Sequence, residues 1–222
     1  MLLKDKTAII YGGGGAVGGA VARAFAREGA HIFLAGRTAG KLEAVAAEIQ
    51  ANGGKAEVAR VNALDRDTVE AHLAAITEKA GPVRLMFNAI DWGETQGQAL
   101  VDMTHERFST AVATALQTWF VTGTCAARHM AENGGGTIIG ITANAGRSPI
   151  AMVGGFGVAC AAVEHFLRQL AVEMGPSNVR VCFVRSARSP DAQGLRKPSN
   201  CGPQRPDSAL TRYCARPDRV VH

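Results

Sequence analysis

Two stretches of the chain carry residue types whose spacing bears on chemistry. The first is YGGGGAVGGAVARAFAREGA, from Tyr11 to Ala30, where Gly13, Gly15 and Gly18 satisfy G-x-G-x-x-G between an apolar run and an alanine-rich stretch of helical character. Glycines there let the backbone turn tightly and approach a pyrophosphate held at the positive end of the following helix. The second is GGFGVACAAVEHF, from Gly154 to Phe166. Between Gly154 and Val163 its only titratable side chain is Cys160. A stretch suited to a charged ligand thus stands in the same chain as a helix with almost nothing to react with.

A third stretch, LAGRTAGKLE, closes the next apolar run with Arg37 and has no acid to accept hydrogen bonds from a free ribose 2′-hydroxyl. A guanidinium matches a 2′-phosphate in charge and fork geometry, which favours NADP over NAD. The alternative is an exposed arginine at a strand end, with Lys41 assisting it or facing water.

The elements that must position these groups alternate between short β-type runs and longer helical ones, the pattern of repeated βαβ units and a parallel sheet. Strands are expected at 7–11, 31–35, 56–61, 84–88, 137–142 and 179–184. Helices are expected at 16–28, 40–51, 67–80, 104–131 and 153–174. The reading is one α/β domain over 1–193, and a chain of 222 residues with 47% hydrophobic content has enough apolar material for its core.

Past Val184 the pattern stops. The end of the chain holds five prolines, scattered arginines and single apolar residues, so 194–222 reads as an irregular basic tail. From Arg185 to His222 there are eight Lys or Arg and three acids, so the net charge of +5 resides entirely in this stretch. The high pI is therefore no argument for nucleic-acid binding by the body. The N-terminus shows neither a signal peptide nor a membrane-spanning run, and a cytoplasmic protein without membrane contact is expected. Five cysteines form no CxxC pair and the six histidines show no ligand spacing, so no metal site is expected.

From Leu3 to about Ala192 the chain resembles the short-chain dehydrogenase/reductase family. The family's T-G-x-x-x-G-x-G falls on Tyr11 to Gly18, with Tyr11 replacing a small hydroxyl residue and Ala16 a glycine. NALD at 62–65 stands where the family has an Asp-containing motif beside the adenine, and FNAI retains Asn88 and Ala89 of N-N-A-G. The resemblance implies a doubly wound Rossmann-type domain with strand order 3-2-1-4-5-6 and helices on both faces. It also implies NADP(H) bound by Gly12, Gly14, Gly15, Val17, Arg37, Asn62, Ala63, Asn88 and Ala89. A small carbonyl or alcohol substrate and a homo-oligomer formed through the fourth and fifth helices follow from the same likeness.

The resemblance further assigns a catalytic tetrad, and each of its positions is changed. The Tyr and Lys of Y-x-x-x-K fall on Phe156 and Cys160, the serine on Ala143 and the fourth-helix asparagine on Ala115. In the family the tyrosine moves the proton, the lysine lowers its pKa and the serine polarises the carbonyl. Phenylalanine has no proton to give. Cys160 is either a reactive thiol or a compact apolar residue. Ser186 and Ala187 replace a Pro-Gly turn, and nothing later resembles a seventh strand, which suits a truncated or frame-shifted end.

Three readings follow. One is an oxidoreductase whose proton passes through unconventional groups such as Thr142, Asn144 or Asp91. Another is a non-catalytic NADP(H)-binding pseudoenzyme or oligomerisation partner, and the third is a remnant that binds nothing.

Overall fold

The computed structural model describes residues 1–186, so the expected boundary at 193/194 and the tail lie outside the described residues. Among those described, a six-stranded parallel sheet has the order β3-β2-β1-β4-β5-β6. Its strands are β1 (Thr7–Tyr11), β2 (His31–Gly36), β3 (Lys55–Arg60), β4 (Val83–Asn88), β5 (Gly136–Ala143) and β6 (Val179–Ser186). The crossovers supply α1 (Ala16–Arg27), α2 (Ala39–Ala51), α3 (Arg66–Ala80), α4 (His105–Glu132) and α5 (Phe156–Met174).

The central strands β1, β2 and β4 are buried and mainly apolar on both faces, as a sheet covered by helices on both sides requires. In β1, Ala8 and Ile10 join Ala22 of α1 and Leu42, Val45 and Ile49 of α2 in one core layer. Ile9 and Tyr11 point the other way, into a layer shared with Val69 and Leu73 of α3, Trp119 of α4 and Leu167 of α5. Alternate residues of one strand therefore tie the two helical layers together.

Local signals set the helix ends. Asp65 caps α3 by accepting from the backbone N–H of Asp67 at 3.0 Å and of Thr68 at 3.3 Å, and Thr104 caps α4 by accepting from Arg107 N–H at 3.3 Å. The expected start of the fifth helix at 153 moves to Phe156. Met152 and Gly154 hold φ of 64° and 55°, which a right-handed helix excludes. β5 runs one residue and β6 two residues past the expected end, because they stay paired up to Ala143 opposite Ser186.

At Gly140 of β5 both α4 and α5 press on the sheet. A Cβ there would lie 2.7 Å from Leu167 Cδ1 and 3.1 Å from Trp119 Cζ2. Both partners are fully buried, so neither can yield freely. Gly140→Ala is expected to lower unfolding stability by ~1–3 kcal/mol, read as a fall in the urea midpoint with an unchanged m-value.

Candidate nucleotide site and the face of helix α5

All the expected cofactor positions lie at the C-terminal ends of parallel strands, around the point where β1 is flanked by β2 on one side and β4 on the other. In doubly wound sheets the ligand crevice opens at such a switch point. Gly12 takes φ +73°, and a Cβ on it would run into the Ala89 carbonyl. Gly18 meets the Gly12 carbonyl in the same way, and a Cβ on Gly14 would lie 2.8 Å from Lys41 Cβ. The loop can pass this close only as glycine. Gly15 is the N-cap of α1 with no side-chain cap and no acid in the first turn, so the first N–H donors of α1, Val17 among them, stay available to an anion.

Tyr11, at the family's small hydroxyl position, turns its ring down into the core and is 1% exposed. The loop above is undisturbed: Tyr11 O accepts from Ala89 N–H at 2.9 Å. Asn88 is buried, with its amide donating to Thr122 Oγ1 at 3.0 Å and its Oδ1 accepting from Ile90 N–H at 3.0 Å. Its side chain shapes the turn after β4 and leaves Ala89 at the crevice. Asn62 is exposed beside Ala63, and its Oδ1 accepts from Leu64 N–H at 3.2 Å.

Arg37 is exposed just past β2, with Lys41 on the first turn of α2. The register adds a residue that the sequence did not single out. Arg60 ends β3 directly opposite Gly36, the residue before Arg37. Among the described residues no carboxylate forms an ion pair with Arg37, Lys41 or Arg60. Pairing of adjacent strands is the only signal that could have found Arg60.

At the other end of the crevice the structure brings three of the four tetrad positions near one another. Phe156 begins α5 and stacks on Trp92, ring centroids 5.8 Å apart. Cys160, one turn on, is fully buried beneath the short turn Asn144–Gly146 that follows Ala143. A Cβ on Gly146 would lie 2.8 Å from Cys160 Cβ. Ala115 of α4 lies in the core. Burial pushes the Cys160 thiol up to about 11, the Ala143 backbone N–H pulls it down, Glu164 and Glu94 raise it, and Arg185 lowers it. The thiol is therefore protonated and covered at neutral pH, so of the two expectations for Cys160 the compact apolar residue is the one that fits.

One turn beyond Cys160 the helix carries a charge that sequence reading passed over. Glu164 is 2% exposed. It accepts from Thr142 Oγ1 at 2.9 Å and from Arg185 Nε at 2.9 Å, while Arg185 Nη2 reaches its second oxygen. Arg168 lies 3.8 Å away on the solvent side. This fork-on-fork pair fastens α5 to the ends of β5 and β6, and it commits the Thr142 hydroxyl. The remaining groups near the crevice are the exposed Asp91, which accepts from Gly93 N–H at 2.9 Å, the exposed Asn144, and the half-buried Glu94.

Among the described residues no helix is long and apolar enough to cross a membrane, and no cluster of His, Cys, Asp and Glu is placed to hold a metal ion.

Comparison with known proteins fits this geometry. The chain is 34% identical to an L-rhamnose 1-dehydrogenase (NAD(P)(+)) of Azotobacter vinelandii, over 81% of this chain and 72% of the relative. It is 30% identical to a 7alpha-hydroxysteroid dehydrogenase of Escherichia coli, over 81% and 69% of the two chains. The fold superposes with a TM-score of 0.76 on a metagenomic short-chain oxidoreductase solved in complex with NADP, at 25% identity and 85% coverage of each chain.

Breaking a buried ion pair by removing one member costs roughly 3–5 kcal/mol. Glu164→Gln should therefore lower the unfolding free energy by about that amount. The joint replacement Glu164→Leu with Arg185→Met should restore much of the loss, and equilibrium denaturation of the three proteins measures both. Residues 6–188 match the family model for short chain dehydrogenase, and the chain belongs to that family of oxidoreductases.

Proposed function

We propose that the chain binds NADP(H) in preference to NAD(H) and takes part in hydride transfer to or from a small carbonyl or alcohol, with the proton handled by groups other than the usual tyrosine and lysine. The observation that carries the cofactor preference is the cationic edge of Arg37, Lys41 and Arg60, unpaired among the described residues, beside a glycine loop in which no Cβ fits. Gly12, Gly14, Gly15 and the first turn of α1 with Val17 would hold the pyrophosphate. Arg37 and Arg60 would meet the 2′-phosphate, Asn62 and Ala63 the adenine side, and Ala89 the inner ribose. When bound, NADP(H) supplies or accepts the hydride.

The residues of α5 determine what the chain itself can add. Phe156 offers an apolar wall where the family places a proton donor, and Cys160 keeps its thiol covered by the turn at 144–146. Thr142 has its hydroxyl committed to Glu164. A carboxylate of the segment after β4 is then the best placed side chain for proton exchange. Glu94, which is half-buried, is favoured over the exposed Asp91. Losing a positioned acid-base group costs roughly a hundred- to ten-thousand-fold in rate, so slow turnover is expected.

The covered thiol and the aromatic wall favour a second reading in which NADP(H) is held without turnover. The carbonyl or alcohol could be polar or apolar, since one relative is named for a sugar and another for a steroid. Exposed Leu116 and Phe120 on α4 with Val158 and Val172 on α5 support association of two copies through these helices.

NADPH should bind at least tenfold more tightly than NADH in a fluorescence titration. Arg37→Asp should reverse that order, since a charge-assisted hydrogen bond contributes about 1.5–3 kcal/mol. Equal affinity of the wild type for both cofactors would remove the role given to Arg37. If turnover is found, Phe156→Ala should leave kcat within about twofold while Glu94→Gln lowers it roughly a hundredfold. Binding with no turnover toward any carbonyl or alcohol would establish the second reading.

A further inference from the structure

Just before Phe156 in the chain lies an open hollow of about 240 Å³ between Ala99 and Leu100 on one side and the run 150–154 on the other. That is the volume of about eight waters at ~30 Å³ each, enough for a six-membered ring or a short branched chain. Its walls come from two segments stitched together: Gly97 N–H donates to Met152 O at 2.7 Å, and Gln98 pairs with Val153. Met152 adopts a left-handed backbone, φ 64°, to make this join. A non-glycine residue keeps such a conformation only where its surroundings enforce it, and such residues cluster at ligand sites.

The chemistry of the lining is one-sided. Leu100, Ile150, Met152 and Val153 present hydrocarbon and thioether, and no charged side chain lines the hollow. The nearest polar side chain, Gln98, has both ends engaged, donating to Asp102 O at 2.6 Å and accepting from Arg107 Nη1 at 3.1 Å. The Gly97 N–H and Met152 carbonyl satisfy each other. Leu100, Ile150 and Met152 are each at least half exposed, an uncommon position for large apolar side chains held at the rim of one hollow.

Building on the hydride-transfer reading, we propose that this hollow is a binding site for an uncharged, mainly apolar alcohol or ketone and that it rejects polyhydroxylated compounds. A ring with one oxygen buries its hydrocarbon against Leu100, Ile150 and Met152 and leaves the oxygen at the Phe156 end. A ring with a hydroxyl on every carbon strips water from several donors and finds no free partner in the walls, so its burial is opposed. An apolar ligand gains with each Å² of hydrocarbon covered.

Cyclohexanone and myo-inositol share a six-carbon ring and differ in this property. Dissociation constants for both, taken from ligand-observed NMR on the full chain, test the proposal. Cyclohexanone should bind in the millimolar range and myo-inositol should show no binding. Leu100→Asp and Ile150→Asp, at positions 62% and 51% exposed and so tolerant of charge, should each weaken cyclohexanone at least tenfold. No cyclohexanone binding, comparable affinity for the two rings, or an unchanged constant in both variants would overturn the assignment. NADPH titration of the same samples keeps the two readings apart. Cyclohexanone binding without NADPH binding removes the proposed cofactor, and NADPH binding without cyclohexanone binding removes the hollow.

Discussion

Close backbone approach along the first turns of α5 is the constraint on which the candidate site depends. A Cβ on Gly155 would run into the Phe108 carbonyl of α4, and one on Gly157 would lie 2.9 Å from the Ala145 carbonyl. Cys160 in turn lies under Gly146, where two Cβ atoms would be 2.8 Å apart. The start of α5 is thus wedged between α4 and the turn after β5, with only hydrogen or a short side chain at each contact. The same wedge covers the Cys160 thiol and leaves Phe156, one turn before it at the start of α5, to face Trp92.

The wedge also explains why a charge appears where it does. Cys160 is too short to reach the crevice, and one turn deeper Glu164 takes the guanidinium of Arg185 and the hydroxyl of Thr142. A buried ion pair contributes little net stability relative to a hydrocarbon pair, but it tolerates no loss of one member. Its effect is positional: α5, β5 and β6 are pinned together at the ends that face the crevice. The family's cation is assigned to α5, whereas in this chain the buried cation comes from β6 and is neutralised where it stands.

The legible part of the fold was the part written in local pattern. Val, Ile and Phe runs placed the six strands within one or two residues, and the glycine turn placed the crevice. The changed start of α5 followed from backbone angles at Met152 and Gly154, which a helical periodicity does not record. The ion pair was not legible because Glu164 looks like any surface acid on a helix of alternating character, and its partner lies 21 residues away on another element. Arg60 was missed for a related reason: only the β2–β3 register sets it opposite Gly36, the residue before Arg37.

Seen this way, the two ends of the crevice have diverged differently. At the phosphate end, function resides in backbone geometry, and a Cβ would obstruct it at Gly12, Gly14 and Gly18. Substitutions at Tyr11 and Ala16 are tolerated there, because the Tyr11 ring turns into the core and the Ala16 methyl is exposed. At the other end function resides in side chains, which can be exchanged without disturbing the backbone that carries them. Phe156 and Cys160 fill their places by packing alone. The backbone of a dinucleotide crevice can therefore persist while the side chains at its other end are exchanged.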